Sequence, residues 1–110
     1  MFEVLMNIRT TENDEEFCTY SRKIISSNAL AVEAGTTGYT EANDKETPVT
    51  YFKIEDYGNT DMEINVIDGG NGHTKGLEVT LYGNSELETI IRALKFITKC
   101  LEDEANEIVE

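Results

Sequence analysis

The amino-acid sequence predicts a single α+β domain, a two-layer sandwich in which a mostly antiparallel sheet of four or five strands packs against two helices on one face. Three observations predict it. Several short segments alternate apolar and polar residues with the period of a strand, two segments repeat apolar residues with the period of a helix, and short turns join most of the strand-like segments. The predicted order over residues 1–110 is β-α-β-β-β-β-α.

Residues 76–101 carry the strongest signals. Apolar and polar residues alternate over 77–82, which predicts a strand, and a Gly-Asn pair ends the pattern. Ser85 and Glu88 have the spacing of a capping box, so a long helix is predicted to begin at Ser85. The last segment, 102–110, carries five carboxylates and is expected to fray.

This long helix has a second apolar strip beside its main apolar face, formed by Ala93, Phe96 and Cys100. Together the two strips are wider than the single stripe that most surface helices bury. Two interpretations follow. The neighbouring predicted helix covers the second strip, or the strip is the contact surface of a homodimer, the commonest form of soluble oligomer.

The other elements are predicted from similar signals. Alternation predicts a strand over residues 2–8, and Asn13 followed by three acidic residues predicts a helix that ends at 26–28. Residues 29–34 alternate like a short strand, although their alanines also suit a continued helix; a strand is predicted. The later segments are a long loop at 35–48, strands at 49–57 and 61–68 joined by a Gly-Asn turn, and a glycine-rich loop at 68–75.

Composition narrows the classes of partner. With 22 acidic and 9 basic residues the net charge is −13, which repels nucleic acid and anionic membranes and suits a partner protein with a basic surface. The first ten residues do not resemble a signal peptide, and no apolar run has the length of a membrane span, so a cytoplasmic location is expected. In a reducing compartment Cys18 and Cys100 are expected to be free thiols.

No pattern predicts catalysis. His73 is the single histidine, and no nucleophile and base have a recognisable spacing. No cysteine or histidine pair has zinc-ligand spacing, and the glycine-rich loop lacks the phosphate-loop and dinucleotide patterns. The sequence therefore predicts a protein that is not an enzyme and has no metal or cofactor.

The predicted solvent face of the sheet is the first candidate binding surface. Its proposed contact residues are Tyr51, Glu55, Glu63, Glu78 and Tyr82. Antiparallel sheets commonly leave one face in water, so this face is either simply solvated or a docking surface with two tyrosine anchors. Like charges directly opposite each other destabilise a sheet, so Glu63 and Glu78 are expected to be staggered or answered by a cation.

A small-ligand pocket is the alternative. Short residues that expose the backbone follow one strand and surround a later turn, and a pocket for a nucleotide would use such residues. They are Gly35, Thr36, Thr37 and Gly38 in the first group and Asp56, Thr60 and Asp61 in the second.

Part of the chain resembles a group of known proteins. The segments VEAGTTGY at 32–39 and TYFKIED at 50–56, with Gly58 and Thr60-Asp61, are similar to small proteins of unknown function encoded by phages and mobile elements of Gram-positive bacteria. The intervening loop, EANDKETPV, is poorer in glycine here than in those proteins. The resemblance implies a mobile-element origin and a protein that disables a host factor, either as an anti-defence inhibitor or by sequestering a signalling nucleotide.

Overall fold

The computed structural model describes residues 4–12, 14–38 and 48–109. The first four of its strands form an antiparallel sheet in the order β1-β2-β3-β4, and the last two form a separate antiparallel hairpin. The elements are β1 (Leu5–Thr10), β2 (Glu16–Ile25), β3 (Ala29–Thr36), β4 (Thr50–Gly58), β5 (Met62–Gly70), β6 (His73–Leu81) and α1 (Asn84–Val109). The predicted α+β class is confirmed, but the described residues form one helix instead of two, and the order of elements differs.

The first predicted helix is strand β2. It pairs with β1 on one side and with β3 on the other. Asn13 lies outside the described residues, and Asp14 has a positive φ of 65° in the turn between β1 and β2. The Thr11 backbone N–H donates to the Glu15 carbonyl oxygen at 2.8 Å and closes this turn. Because Asn and Asp favour tight turns as well as helix starts, the signal that predicted a helix marks a hairpin.

The C-terminal helix begins at Asn84, one residue before the predicted start, and runs to Val109 through most of the segment expected to fray. The predicted capping box is replaced by tertiary contacts. The Ser85 hydroxyl donates to Asn28 Oδ1 at 2.5 Å, and Glu88 accepts a hydrogen bond from the Ser26 hydroxyl at 3.0 Å. Both bonds tie the first turn of α1 to the turn between β2 and β3.

The core lies between α1 and one face of the four-stranded sheet, chiefly over β3. Its two clusters of buried residues are Ile24, Leu30, Val32 and Ala93, and Ala34, Ile97 and Cys100. No described element covers the opposite face of this sheet, which is called the open face below. Within the described residues, α1 is not apolar enough over a sufficient length to cross a membrane.

Strands extend into both predicted loops. The strand predicted at 29–34 is confirmed as β3, which continues to Thr36 into the predicted loop; residues 39–47 of that loop lie outside the described residues. The glycine-rich segment at 68–75 is also mostly paired. There β5 continues to Gly70 and β6 begins at His73, which leaves a two-residue turn.

Strands β4 and β5 were predicted to be neighbours in a meander, and this prediction is wrong because they belong to different sheets. The Asp56 carboxylate accepts hydrogen bonds from the backbone N–H of Gly58 at 2.8 Å and of Thr60 at 3.2 Å. The Thr60 hydroxyl in turn donates to the Ala29 carbonyl oxygen at 2.9 Å. These bonds hold the chain in a bend that directs it away from the sheet edge.

Candidate functional site

The open face of the four-stranded sheet forms a concavity of about 530 Å³. Side chains alternate across a strand, and the odd-numbered residues of the four strands point away from α1. The polar residues whose side chains point into the concavity are Asn7, Arg9, Ser21, Lys23, Glu33 and Lys53. Arg22 also borders it, but it lies opposite Val32, so its side chain points to the α1 side of the sheet. Its volume lies within the range of roughly 300–1,000 Å³ that small-ligand pockets occupy.

The charge of this concavity is opposite to that of the whole chain. Among its lining residues, three basic side chains, Arg9, Lys23 and Lys53, point into it, against one acidic side chain, Glu33. In a chain of net charge −13, this places a local excess of positive charge in one concave surface. Surfaces of low dielectric and concave shape focus such a field toward a ligand of opposite sign.

Glu33 is the centre of the hydrogen-bond network in the concavity. It lies on β3, and only 5% of its surface is exposed. Its carboxylate accepts hydrogen bonds from Arg9 Nε and Nη2, both at 2.7 Å, and from the Thr19 hydroxyl at 2.5 Å. The Lys53 ammonium lies 3.8 Å from the same carboxylate. Glu33 therefore joins groups from all four strands.

These partners keep the Glu33 carboxylate ionised. The hydrogen bond from Arg9 is the largest cause that lowers the pKa of Glu33 to about 2, with smaller contributions from Thr19 and Lys53 against the opposing effect of burial. The same hydrogen bond raises the pKa of Arg9 above its ordinary value. Both groups are therefore charged at neutral pH, and the pair holds the Arg9 guanidinium in one position.

Aromatic rings fix the cations further. The Arg9 guanidinium lies 4.6 Å from the centroid of the Tyr51 ring, and Tyr51 makes an edge contact with Phe17 at 6.4 Å. The Lys23 ammonium lies 4.6 Å from the centroid of the Tyr57 ring. Such cation–π contacts add to the stability of each position. The concavity thus presents cations whose side chains are already ordered.

A glycine permits the close packing beside this network. A Cβ on Gly35 would collide with the Cys18 carbonyl oxygen and would lie 2.7 Å from Thr19 Cα. Tyr51 lies directly opposite Gly35 on β4. Only the absence of a side chain at Gly35 lets β2 and β3 approach here and keeps Thr19 within reach of Glu33.

Lys53 has hydrogen-bonding capacity to offer to a ligand in the concavity. Its side chain is 44% exposed, and its contacts with Glu33 and Glu55 are 3.8 and 3.7 Å long. Arg22 Nε is buried and makes no hydrogen bond to any residue within 4–12, 14–38 and 48–109. Arg22 lies opposite the core residue Val32, so its side chain is on the α1 side of the sheet and this donor does not face the concavity.

The structure divides the predicted binding surface in two. Tyr51 and Glu55 lie on the open face of the four-stranded sheet, beside the concavity. Glu63, Glu78 and Tyr82 lie instead on the β5–β6 hairpin and the residue after it. The predicted set is therefore two separate groups of residues.

On the hairpin, the register resolves the predicted conflict between its two glutamates. Glu63 lies opposite Thr80, and Glu78 lies opposite Asn65, so the carboxylates are staggered as expected. The Tyr82 hydroxyl donates to Glu63 Oε1 at 3.2 Å, and this hydrogen bond raises the pKa of Tyr82. The face of the hairpin that carries Glu63, Glu78 and Tyr82 is called its polar face below.

The two halves of the predicted ligand pocket lie at opposite ends of the β3–β4 pair. Thr36 is opposite Thr50, whereas Asp56 is opposite Leu30. Six residues along β4 separate the two positions, which is about 20 Å at roughly 3.3 Å per residue. The first group is Gly35, Thr36, Thr37 and Gly38, and the second is Asp56, Thr60 and Asp61. They do not line one pocket.

The strip predicted to contact a neighbouring helix or a second subunit is part of the core. Ala93 and Cys100 are buried against β3, and Phe96 is partly buried against both core clusters. The sheet covers this strip because the region predicted to be the first helix is a strand. Ala93 and Cys100 therefore have almost no exposed surface for a dimer contact, and Phe96 is partly exposed.

Sequence reasoning missed Arg9, Lys23 and Glu33. Interpreting residues 14–25 as a helix removed β2 from the sheet, so no register could place Arg9 near Glu33. The available signal was a partial alternation in the sequence, in which Cys18, Tyr20 and Ile24 are separated by polar residues.

Among the described residues, no group of three or more His, Cys, Asp or Glu side chains is arranged to hold a metal ion. Cys18 is partly buried and Cys100 is buried, and no disulfide joins the two. Comparison with protein-family models, with curated proteins and with solved structures gives no match to this chain.

Proposed function

We propose that this protein is a non-enzymatic binding protein that holds a small anionic ligand in the concavity on the open face of its sheet. The observation that carries this proposal is the distribution of charge. The side chains of three basic lining residues, Arg9, Lys23 and Lys53, point into the concavity, against one acidic lining residue, Glu33, in a chain of net charge −13. This local positive field attracts an anionic ligand, whereas the acidic remainder of the surface repels it.

The side chains in the concavity are held in fixed positions, which favours ligand binding. Glu33 and Tyr51 fix the Arg9 guanidinium before a ligand arrives, so little side-chain entropy is lost on binding. Lys53 supplies further donors for the ligand. Hydrogen bonds from a cation to a phosphate or carboxylate oxygen are about twice as strong as those between neutral groups.

Nucleotides are the ligand class to test first. Tyr51 and Tyr57 place aromatic rings beside the cations Arg9 and Lys23. A ligand with both an anionic group and a planar ring matches this combination, because aromatic rings favour offset or edge contacts with other rings. Sequestering of a signalling nucleotide is the activity that follows, and it needs no catalytic group.

Thermal unfolding with a ligand panel tests the proposal. The panel contains inorganic phosphate, mononucleotides and cyclic dinucleotides, and calorimetry follows on any ligand that raises the melting temperature. A ligand present at 100 times its dissociation constant adds about 2.7 kcal/mol to the free energy of unfolding. No response to any member of the panel contradicts the nucleotide assignment.

A pair of variants tests the location. Lys53→Gln removes one positive charge from the concavity, and Lys99→Gln removes one from an exposed position on α1. Loss of a charged hydrogen bond is expected to weaken binding roughly tenfold in Lys53→Gln. Lys99→Gln is expected to bind like the wild type. Equal weakening in both variants would show that net charge, and not the concavity, governs binding.

A second candidate is an inhibitor that engages the basic surface of a host protein, as the resemblance to phage and mobile-element proteins implies. The net charge of −13 and the polar face of the hairpin favour it, since Glu63, Glu78 and Tyr82 lie together at an exposed position. The expected partner is a host defence factor in the host cytoplasm, and acidic side chains would steer its approach.

Salt dependence and charge variants test this second candidate. Association with an identified host partner is expected to slow as ionic strength rises. Glu63→Gln with Glu78→Gln is expected to slow it further, whereas the matched pair Glu12→Gln with Glu102→Gln changes the net charge equally and lies outside the hairpin. An association rate that is the same for both pairs would exclude the hairpin face.

A further inference from the structure

The β5–β6 hairpin extends away from the rest of the molecule. The radius of gyration is 15.8 Å, compared with about 13 Å for a compact chain of this length. Met62, at the base of the hairpin, packs on the core, but the nine-residue strands join no other strand in the described part of the chain. An isolated two-stranded hairpin is at best marginally stable in water. A second surface that covers the hairpin is therefore expected to stabilise it.

One face of the hairpin is wholly apolar along its central pairs. Ile64 lies opposite Val79 and Val66 lies opposite Leu77, and these four side chains are between 42% and 66% exposed. Glu63 and Glu78 belong to the other, polar face. Contiguous exposed apolar surface of this kind marks an interaction site more often than a free surface.

A matching uncovered surface lies beside the outer edge of β4. Arg92 of α1 donates to the Ile25 carbonyl oxygen, so this flank of the helix faces the β2–β3 turn. The opposite flank, on the β4 side, exposes Leu87, Ile91 and Leu94, and Phe52 of β4 is exposed as well. In the part of the chain that the structure describes, the outer edge of β4 has no partner strand.

We propose that two copies of this chain exchange their hairpins. The β5 strand of one copy pairs with the free β4 edge of the other, and the apolar face of the hairpin packs beneath the exposed flank of the partner's helix. Each half of the dimer then has a continuous six-stranded sheet in the order β1-β2-β3-β4-β5-β6, with the last two strands from the second copy. A two-fold axis relates the halves.

The link between β4 and β5 favours exchange over folding back within one chain. Only residues 59–61 separate the two strands. Thr60 is bonded to Asn28 and Ala29, and the Asp61 backbone N–H donates to Glu86 at 3.1 Å. A tight reversal onto the same β4 edge would break these bonds, whereas the partner's edge is reachable with the link unchanged. Short constrained links are the usual setting for exchange of elements between copies.

A second copy fits better than another kind of protein. One chain carries both complementary surfaces, as a two-fold interface requires. The proposed contact joins the central apolar pairs of the hairpin to Leu87, Ile91 and Leu94 of the partner, whereas Glu63 and Glu78 lie on the opposite face of the hairpin, outside this apolar contact. β4, β5 and β6 have nine residues each, which together match the roughly 20–30 residues that a stable interface uses on each side.

Sedimentation equilibrium of the full chain tests the proposal. The wild type is expected to have twice the 12.3 kDa mass of one chain at micromolar concentration. Val66→Asp places a carboxylate in the proposed interface and should raise the dimer dissociation constant roughly 100-fold. Met6→Asp is the control, because Met6 on β1 is equally exposed at 62% against 66% but lies outside the interface. A monomeric wild type, or equal dissociation of both variants, overturns the proposal.

A second variant keeps the test decisive if Val66→Asp fails to fold. Insertion of four glycines between Asn59 and Thr60 lengthens the link, so the hairpin can reach the β4 edge of its own chain. The expected product is a monomer with the circular dichroism spectrum of the wild type. A dimer that persists with the same dissociation constant after this insertion would show that the copies meet elsewhere.

Discussion

Arg9 of β1 and Glu33 of β3 meet across the intervening strand β2 through two hydrogen bonds of 2.7 Å. The Thr19 hydroxyl, on β2 itself, donates to the same carboxylate. Three neighbouring strands are thereby joined on the open face, where no helix covers them. The network stabilises the sheet and at the same time orders the cation that the proposed ligand would meet.

Arg9→Ala is expected to lower the free energy of unfolding by about 2–3 kcal/mol, because it leaves the buried Glu33 carboxylate without its main partner. Urea unfolding at neutral pH measures the change. Lys99→Ala is the control, since the exposed Lys99–Asp103 pair on α1 should contribute less than about 0.5 kcal/mol. An Arg9→Ala effect no larger than the control would show that Glu33 is solvated in place.

The contribution of Glu33 should depend on pH with a defined sign. Its pKa is about 2 in the folded chain and 4.5 as the ordinary value, so its stabilisation is complete above pH 4.5 and is lost as pH falls toward 2. Glu33→Gln should therefore be less stable than the wild type at pH 7 but approach it near pH 2. Unfolding midpoints at pH 7, 5, 3 and 2 measure this. A constant difference at all four values would contradict the lowered pKa.

Gly35→Ala is expected to destabilise the fold by about 1–3 kcal/mol, because the added methyl group collides with backbone atoms of Cys18 and Thr19. Gly58→Ala is the matched control, since a Cβ there would meet nothing closer than Ala29 Cβ at 4.0 Å. Thermal unfolding of the two variants gives the comparison. If Gly35→Ala is as stable as Gly58→Ala, the β2–β3 approach is looser than these distances indicate.

The elements that the sequence predicted correctly are those with local signals. Alternation placed β3 and β4, and the Gly-Asn break before Ser85 placed α1 to within one residue. The segment before β2 was ambiguous in the sequence, because Asn13-Asp14 is typical both of a helix start and of a turn. The segment after it forms a strand because it pairs with β1 and β3, and this pairing depends on residues that are distant in sequence.

The candidate site was predictable only in part for a related reason. Tyr51 was placed on the solvent face by alternation alone. Its association with Arg9 and Glu33 depends on the register of three strand pairs, and a shift of one residue in any pair would move the side chains to the opposite face. The departure of the hairpin from the sheet likewise depends on tertiary bonds of Thr60 that no local pattern records.

Asn28 is expected to be the residue that secures the first turn of α1 to the sheet. Its side chain is buried, and its Nδ2 donates to the hydroxyls of Thr60 at 2.9 Å and Thr89 at 3.0 Å. Its Oδ1 accepts from Ser85, and its backbone N–H donates to the Ser85 hydroxyl at 3.1 Å. Asn28→Ala would leave several of these buried hydroxyls without partners, so a loss of about 3 kcal/mol is expected.

Hydrogen exchange locates the effect of Asn28→Ala. The backbone amides of Leu87 and Glu88 should exchange much faster in the variant, because the first turn of the helix then opens without global unfolding. Asn7→Ala removes a single half-buried hydrogen bond of 3.1 Å to Ser21 and should cost about 1 kcal/mol with no change at the helix. Faster exchange spread evenly over the whole chain would instead mean that Asn28 stabilises the fold globally and does not hold the helix start in particular.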